Sequence, residues 1–241
     1  DRMFLSWFDS NALAATVPAF FVCFTLTSLF LGIASYVGVF AAQYYGAREY
    51  TKIATATWQG FYMLVPLLFV VVLAFMSMDT LFRIIGHDPS LQAMEVSYAR
   101  IFILSIPLMI ISGALSGFFS GIGRTSVVMW SNLLITLVNI GLDYALIFGN
   151  WGMPEMGVTG AALASVMALL TGTLVQLWIF FAPQYMQQYK THQNWRFDRR
   201  LFRRLIRFGF PVGLQFQLQS LAWTVFVLLI GKIGVVALTA H

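Results

Sequence analysis

Long stretches without a charged residue recur along this chain and constrain its fold more than any other feature. Five of them, residues 12–42, 53–78, 101–122, 157–182 and 208–230, contain no Asp, Glu, Lys, Arg or His. A sixth, Thr125–Phe148, is equally apolar except for Asp143. Each is long enough for an α-helix to cross a lipid bilayer, which takes about 20 residues. The sequence therefore predicts an all-α polytopic membrane protein.

Composition excludes the soluble alternatives. Hydrophobic residues make up 59% of the 241 positions and charged residues 10%, and mean hydropathy is +0.80. A soluble domain holds about a quarter charged residues, so this chain could not cover its apolar surface in water. Membrane β-strands are excluded because they run only about ten residues with strict alternation. The single cysteine, Cys23, cannot form an internal disulfide.

Lys and Arg residues predict the orientation. The connectors after the second, fourth and sixth spans, counting a truncated span at Asp1–Phe8 as the first, hold ten of the fourteen basic residues. This side is predicted to be cytoplasmic. The richest stretch, residues 195–207, has apolar residues at helical spacing with arginines between them, which predicts an interfacial helix at the lipid headgroups. The net charge of +5 is thereby explained without nucleic acid, which is not expected as a partner.

The fifth span carries a polar stripe. Asn132, Thr136, Asn139 and Asp143 are spaced four, three and four residues apart, which places them on one helical face. A charge inside a span costs roughly 2.5–3.5 kcal/mol on insertion scales, so the presence of Asp143 indicates a function that requires a carboxylate. Hydrogen bonding between helices explains Asn132 and Thr136 well, but a carboxylate is a costly residue for that purpose.

Asn139 and Asp143 are therefore predicted to form a coupling-ion site. A carboxylate beside an amide carbonyl offers hard oxygen ligands to a monovalent cation such as Na⁺. Alternatively, burial disfavours the charged form, so that the carboxylate carries a proton at neutral pH. In the last span, Gln215 and Gln219 share a face, and they can contact either a substrate or another helix.

Several short motifs, taken in order, resemble those of the multidrug and toxic compound extrusion (MATE) transporters. They are QYYGAR at 43–48, GIGRT at 121–125, NIGLD at 139–143, GVTGAALAS at 157–165 and GFPV at 209–212. The resemblance extends over essentially the whole chain, from the end of the first span through the seventh.

The resemblance implies a twelve-helix protein of two six-helix lobes. Residues 1–182 would form the N-terminal lobe with a truncated first helix, 183–207 a basic cytoplasmic linker, and 208–241 the seventh span at the start of the second lobe. A weak repeat of Ala-Leu-Ala-Ala at 12–15 and Ala-Leu-Thr-Ala at 237–240 is compatible with such a duplication. A chain holding one lobe would be expected to bind its ion but not to transport alone.

The resemblance also assigns site residues. The first-span acid falls at Asp1, the fifth-span pair at Asn139 and Asp143, and a sixth-span hydroxyl at Ser165, where relatives often have Thr. These four would bind Na⁺ or H⁺ in the N-terminal lobe. A seventh-span Glu of one branch is replaced here by Gln219, which favours coupling through the N-terminal lobe. The candidate substrate-cavity residues are Thr136, Gln215 and Gln219.

The function implied is secondary active efflux by alternating access. Organic cations and other amphipathic compounds would leave in exchange for Na⁺ or H⁺, through a protein that is monomeric at full length, lies in the bacterial inner membrane and needs no cofactor. One alternative is a lipid-linked oligosaccharide flippase of the same superfamily, which would be expected to have basic residues facing its cavity. Another is a non-transporting scaffold subunit, which leaves Asp143 unexplained. An enzyme is not expected, since no catalytic motif occurs.

Overall fold

Eleven α-helices and a short 3₁₀ turn make up the computed structural model, which describes residues 1–233. In chain order the helices are α1 (Arg2–Phe8), α2 (Ser10–Ser35), α3 (Val37–Gly46), α4 (Tyr50–Tyr62), α5 (Leu64–Ile85), α6 (Pro89–Phe102), α7 (Ser105–Gly121), α8 (Thr125–Phe148), α9 (Gly157–Phe180), α10 (Pro183–Tyr189) and α11 (Arg199–Ile233). No strand occurs within residues 1–233. The all-α class predicted from the uncharged stretches is confirmed.

The predicted spans correspond to long apolar helical segments. Five are long and apolar enough to cross a membrane: Asn11–Gly46, Tyr50–Ile85, Thr125–Phe148, Gly157–Phe180 and Arg199–Ile230. The sixth is the pair α6 and α7, which bend by 42° at a short break. The span expected at 101–122 therefore begins a dozen residues earlier, at Pro89, because charged Glu95 and Arg100 do not interrupt the helix.

Two of the breaks between consecutive helices have a proline as their cause. α5 starts two residues before Pro66, and α7 starts two residues before Pro107. A proline ring clashes with the carbonyl group four residues earlier, and the two positions concerned are Tyr62 and Ile103. α4 ends at Tyr62 and α6 ends one residue before Ile103, so both breaks fall where this clash requires them.

The basic stretch at 195–207 differs from the expected separate interfacial helix. From Arg199 it is the first part of α11, which continues without interruption into the seventh span. Asp198 starts the helix, since its Oδ1 atom accepts hydrogen bonds from the N–H groups of Arg200 and Leu201. Neither Gly209 nor Pro211 breaks the helix, so one continuous helix contains both the arginines and the apolar span.

The core of the bundle is aromatic and lies around α7. Phe118, Phe119 and Phe180 are completely buried, and the Phe118 ring lies 4.9 Å from the Phe180 ring and 5.4 Å from the Tyr189 ring. Tyr189 belongs to α10, so this core also holds the linker that follows the sixth span. Of the predicted last segment, 208–241, the part from 234 onward lies outside the described residues, as does the second copy of the Ala-Leu repeat.

Two of the connectors rich in Lys and Arg meet at one end of the bundle. The Tyr50 ring contacts that of Tyr189, and the Arg204 guanidinium group lies 5.3 Å from the Phe40 ring centre. Asn194 donates a hydrogen bond to the carbonyl oxygen of Thr51. The connectors after the second and sixth spans are thus in contact, as the charge pattern requires.

Candidate cation site

Packing of the first short helix places Asp1 inside the bundle. The Phe4 and Phe8 rings of α1 both contact the Phe148 ring at the end of α8, at 6.2 and 6.0 Å between centres. Leu5, between them, is completely buried. Three apolar side chains therefore fix α1 and hold Asp1, directly before it, against α8 and α9.

A glycine brings α9 close to α8. A Cβ atom on Gly160 would lie 2.6 Å from the carbonyl oxygen of Leu146, so only glycine permits this approach. Five residues farther along α9, the Ser165 hydroxyl donates a hydrogen bond of 2.6 Å to Oδ2 of Asp1. The first and sixth spans thus meet at the Asp1 carboxylate.

Asp143 is the most deeply buried acid of this region. Its side chain is 0% exposed, and its Oδ2 atom lies 2.9 Å from the main-chain nitrogen of Asp1. No other group in the described part of the chain donates a hydrogen bond to either carboxylate oxygen. A buried carboxylate with so few partners is costly, so this geometry suits a site that takes up a positive charge.

Two cavities meet at these side chains. One, of about 270 Å³, is lined by Asp1, Ser165, Asn139 and Thr136 together with apolar residues. The other, of about 380 Å³, is lined by Asp1 and Ser165 again and by Tyr98, and also by Arg2. Asp1 and Ser165 therefore belong to the walls of both cavities.

The polar stripe of α8 runs from exposed to buried. Asn132 and Thr136 are exposed, and the Thr136 hydroxyl donates to the carbonyl oxygen of Asn132 within the same helix. Asn139 is half-buried at the cavity wall, and Asp143 is enclosed. The structure thus places Asp1, Asn139, Ser165 and Thr136 around one cavity, whereas Asp143 meets this group through the main-chain nitrogen of Asp1.

Gln215 and Gln219 lie elsewhere. Both are exposed on α11 and line neither cavity, because that helix packs against α2 through a different face. On that face the Gln217 Oε1 atom accepts hydrogen bonds from the Ser28 hydroxyl and the Leu29 N–H group. The neighbouring hydroxyls of Ser220 and Thr224 each lie 2.6 Å from that of Thr25.

Tyr98 is a site residue that sequence reasoning missed. It lies on α6, is 4% exposed and lines the second cavity together with Asp1 and Phe102. The signal available was its spacing, since Glu95, Tyr98 and Phe102 fall on one helical face. That signal is indistinguishable from ordinary core packing until the position of α1 is known.

Glu95 was also missed, because the uncharged-stretch criterion placed it and His87 in a connector. Both side chains are buried, at 0% and 2% exposure, and Glu95 Oε1 lies 2.6 Å from Nδ1 of His87. Asp143 is therefore not the only buried acid within a span. The pair joins the connector before α6 to the middle of that helix, which also carries Tyr98 to the cavity.

The donor set of the cavity consists of oxygen atoms. The smaller cavity is lined by one carboxylate (Asp1), one amide (Asn139) and three hydroxyls (Ser105, Thr136 and Ser165). The Asp143 carboxylate contacts the Asp1 main chain without lining this cavity, and no cluster of three His, Cys, Asp or Glu residues occurs among residues 1–233. Hard oxygen ligands suit Na⁺, and the carboxylates can equally accept a proton, whereas soft transition metals prefer sulfur and imidazole. The residues present therefore fit a monovalent cation or a proton.

Fold and site together define a polytopic helical membrane protein with a buried carboxylate site inside one bundle. A family model described as MatE matches residues 1–145, more than half of the chain. The chain is 30% identical over its whole length to a probable multidrug resistance protein NorM of Rhizobium meliloti, covering 52% of that protein. It is 28% identical over 98% of its length to the probable multidrug resistance protein YoeA of Bacillus subtilis, covering 51% of it.

The fold is shared with a solved transporter. An inward-facing conformation of a multidrug resistance MATE family transporter superposes with a TM-score of 0.78 over 92% of this chain and 50% of that one, at 21% identity. The chain belongs to the MATE family, as its motifs predicted. It spans about half the length of the curated relatives it matches.

Proposed function

We propose that this chain forms the N-terminal lobe and seventh span of a secondary active efflux transporter that exchanges organic cations or amphipathic compounds for Na⁺ or H⁺. The observation that carries the proposal is the Asp143 carboxylate, which is 0% exposed inside the fifth span and accepts no side-chain hydrogen bond from the described residues. A purely structural residue at this position would be an amide or an apolar side chain, since either avoids the cost of a buried charge.

The proposed mechanism depends on competition for negative charge. A coupling ion held by Asp1, Asn139, Asp143 and Ser165 would neutralise the site, and a cationic substrate would be favoured once that ion has left. Asp1 lines both cavities, so ion and substrate would act on the same carboxylate. Because one carboxylate cannot be neutralised twice, binding of the two ligands is mutually exclusive and exchange becomes obligatory.

The proposal also covers the mode of transport, the oligomeric state, the membrane and the residues that contact substrate. The transporter would work by alternating access as a monomer in the bacterial inner membrane, without a cofactor and without enzymatic activity. Thr136 is proposed to contact substrate, since it lines the first cavity. Gln215 and Gln219 remain proposed substrate contacts only if they face a cavity formed with the second lobe.

Replacing Asp143 by Asn tests the site. The substitution keeps shape and hydrogen bonding but removes the charge, so gradient-driven export of a cationic dye should be abolished while membrane insertion stays near normal. The measurement is dye transport into vesicles holding the full-length protein, with an imposed Na⁺ or H⁺ gradient. Asn132→Ala is the matched control, because Asn132 is on the same stripe but about 16 Å away at 1.5 Å per residue.

Two outcomes would count against the proposal. Export at the wild-type rate with unchanged ion dependence in Asp143→Asn would make Asp143 a packing residue, as in a scaffold subunit. Gradient-independent movement of a lipid-linked oligosaccharide, with no dye export by the unmodified protein, would favour the flippase. Arg2 is the one basic residue lining the two described cavities, whereas a pyrophosphate group calls for several.

A further inference from the structure

The linker before α11 is fixed to α4 by a series of hydrogen bonds. Trp58 Nε1 donates to the carbonyl oxygen of Thr191 at 2.8 Å. Gln59 donates through Nε2 to the carbonyl oxygen of Arg196, and its Oε1 atom accepts from the N–H group of Asp198, both at 3.2 Å. The main chain leading to the arginines therefore has a defined position on α4.

A cavity of about 440 Å³ lies between this linker, Thr55 of α4 and the first turn of α11. The guanidinium-bearing residues Arg196, Arg199 and Arg200 line it. The volume is within the roughly 300–1,000 Å³ of small-molecule sites. Asp198 also lines the cavity, but its Oδ1 atom is already engaged by the N–H groups of Arg200 and Leu201 at 2.9 and 3.0 Å.

The charges of this cavity are not balanced by the protein. None of the three arginines forms an ion pair with a carboxylate of the described residues; the four ion pairs there involve other groups. Three arginines and one aspartate thus line the cavity, and the aspartate caps α11. Guanidinium groups bind phosphate in a bidentate manner, which makes phosphate the anion that this set fits best.

Aromatic side chains beside the cavity point to lipid as the source of the phosphate. Trp195 is 57% exposed and Phe197, which lines the cavity, is 55% exposed. The Phe197 ring contacts the rings of Tyr62 and Phe202, at 5.5 and 5.0 Å between centres. Exposed aromatic residues next to arginines at the end of a span are typical of the headgroup level of a bilayer.

We propose that this cavity binds the phosphate of an anionic phospholipid headgroup in the leaflet that borders it. Arg196, Arg199 and Arg200 would hold the phosphate, and Trp195 and Phe197 would contact the glycerol and upper acyl region. Thr55 would sit at the opposite wall, so the bound headgroup would lie between α4 and α11. The site is separate from the Asp143 region, because it shares no lining residue with either of those cavities.

The test compares lipid binding in two triple variants of the purified protein in neutral detergent. In the first, Arg196, Arg199 and Arg200 are replaced by Gln. In the control, Arg48, Arg203 and Arg207 are replaced by Gln; these lie on the same basic end but do not line the cavity. Native mass spectrometry measures the apparent dissociation constant of added phosphatidylglycerol, with phosphatidylcholine of the same acyl chains as the reference lipid.

We expect about a ten-fold loss of phosphatidylglycerol affinity in the cavity variant and less than a three-fold loss in the control. A basic residue near an anionic surface contributes about five-fold in affinity, and salt screening of exposed groups reduces the combined effect of three. The single variant Arg199→Gln, expected to lose about three-fold on the same grounds, replaces the triple variant if the latter does not fold.

Three results would overturn the proposal. Equal losses in both triple variants would mean that only the total charge of this end matters. Equal affinity of the unmodified protein for phosphatidylglycerol and phosphatidylcholine would mean that no anionic lipid is selected. Full displacement of phosphatidylglycerol by millimolar inorganic phosphate would identify a soluble phosphate site instead. None of these results bears on Asp143, so the proposed transport function is tested separately.

Discussion

Glu95 and Asp79 are both paired carboxylates, but the two pairs lie in different surroundings. Glu95 is 0% exposed and lies 2.6 Å from His87, whereas Asp79 is 56% exposed and pairs with Arg100. Removing one partner of a buried pair costs about 3 kcal/mol or more, because the other polar group is left buried without a hydrogen-bonding or charged partner. An exposed pair is worth about 0–1 kcal/mol, since water solvates both partners.

We therefore expect Glu95→Ala to lower the free energy of unfolding by about 3 kcal/mol and Asp79→Ala by less than about 1 kcal/mol. Chemical denaturation in detergent, followed by circular dichroism, measures both. Glu95→Gln keeps a hydrogen-bond acceptor near His87, so it should lower the free energy of unfolding by an amount between those of the two alanine variants. Equal effects of the two alanine variants would show that the His87 and Glu95 pair does not stabilise the fold.

At the scale of single residues, the sequence identified a residue whose burial is costly, but it did not show which residues contact one another. The cost of a buried charge singled out Asp143, and the structure encloses it. Glu95 escaped notice because a residue flanked by other polar positions looks like part of a connector. Tyr98 escaped because an aromatic residue on an apolar helical face is equally compatible with core packing.

Among the helix pairs, α2 and α11 approach especially closely. A Cβ atom on Gly213 would lie 2.5 Å from the carbonyl oxygen of Leu29, and one on Gly32 would lie 2.4 Å from the Gly213 Cα atom. This approach lets Gln217, Ser220 and Thr224 reach their partners on α2. In lipid, such packing and hydrogen bonding hold helices together, because burial of apolar surface gives no advantage there.

Gly213→Ala should therefore destabilise the protein by about 1–3 kcal/mol, because the extra methyl group forces the two main chains apart. Gly141→Ala is the matched control, since Gly141 is also inside a helix but has no atom within 4 Å of the added Cβ. There the substitution should stabilise by up to about 1 kcal/mol through helix propensity. Thermal unfolding in detergent gives the sign of each change, and the same sign for both would contradict the close-packing argument.

Helix boundaries were predictable where they have a local cause. Pro66 and Pro107 account for the breaks at the start of α5 and α7, and Asp198 accounts for the start of α11. The continuity of the basic stretch with the seventh span was not predicted. Helical spacing of apolar residues describes an interfacial helix and the first turns of a span equally well, so composition alone could not separate them.

For the whole molecule, the distribution of Lys and Arg predicts that the end holding α10 and the start of α11 is cytoplasmic. A cysteine at Gln193, in a Cys23→Ser background, should resist an impermeant thiol reagent in intact cells. A cysteine at Glu155 should be labelled readily, because it lies in the connector between α8 and α9, on the other side. Both positions are exposed, so access to the reagent depends on sidedness alone.

Mass spectrometry of the labelled protein measures the two accessibilities, and permeabilised cells provide the reference for complete labelling. Cys23 is 0% exposed, so it would react little with the reagent even if it were kept. Its replacement by Ser changes one atom of similar size and should leave the packing close to unchanged. Labelling of the Gln193 position from outside, with protection of the Glu155 position, would reverse the orientation and with it the direction assigned to transport.

The sequence by itself determined that this chain forms membrane-spanning helices, how many there are, and that one of them carries a costly acid, Asp143. These properties are local: a span must satisfy its backbone hydrogen bonds within its own segment, and a charge is costly wherever lipid surrounds the helix. Only the tertiary structure decided that Asp1 meets Ser165 and Asp143, and that Gln217 rather than Gln215 or Gln219 faces α2. Such contacts join residues more than a hundred positions apart, and they depend on close approaches between helices that no single segment encodes.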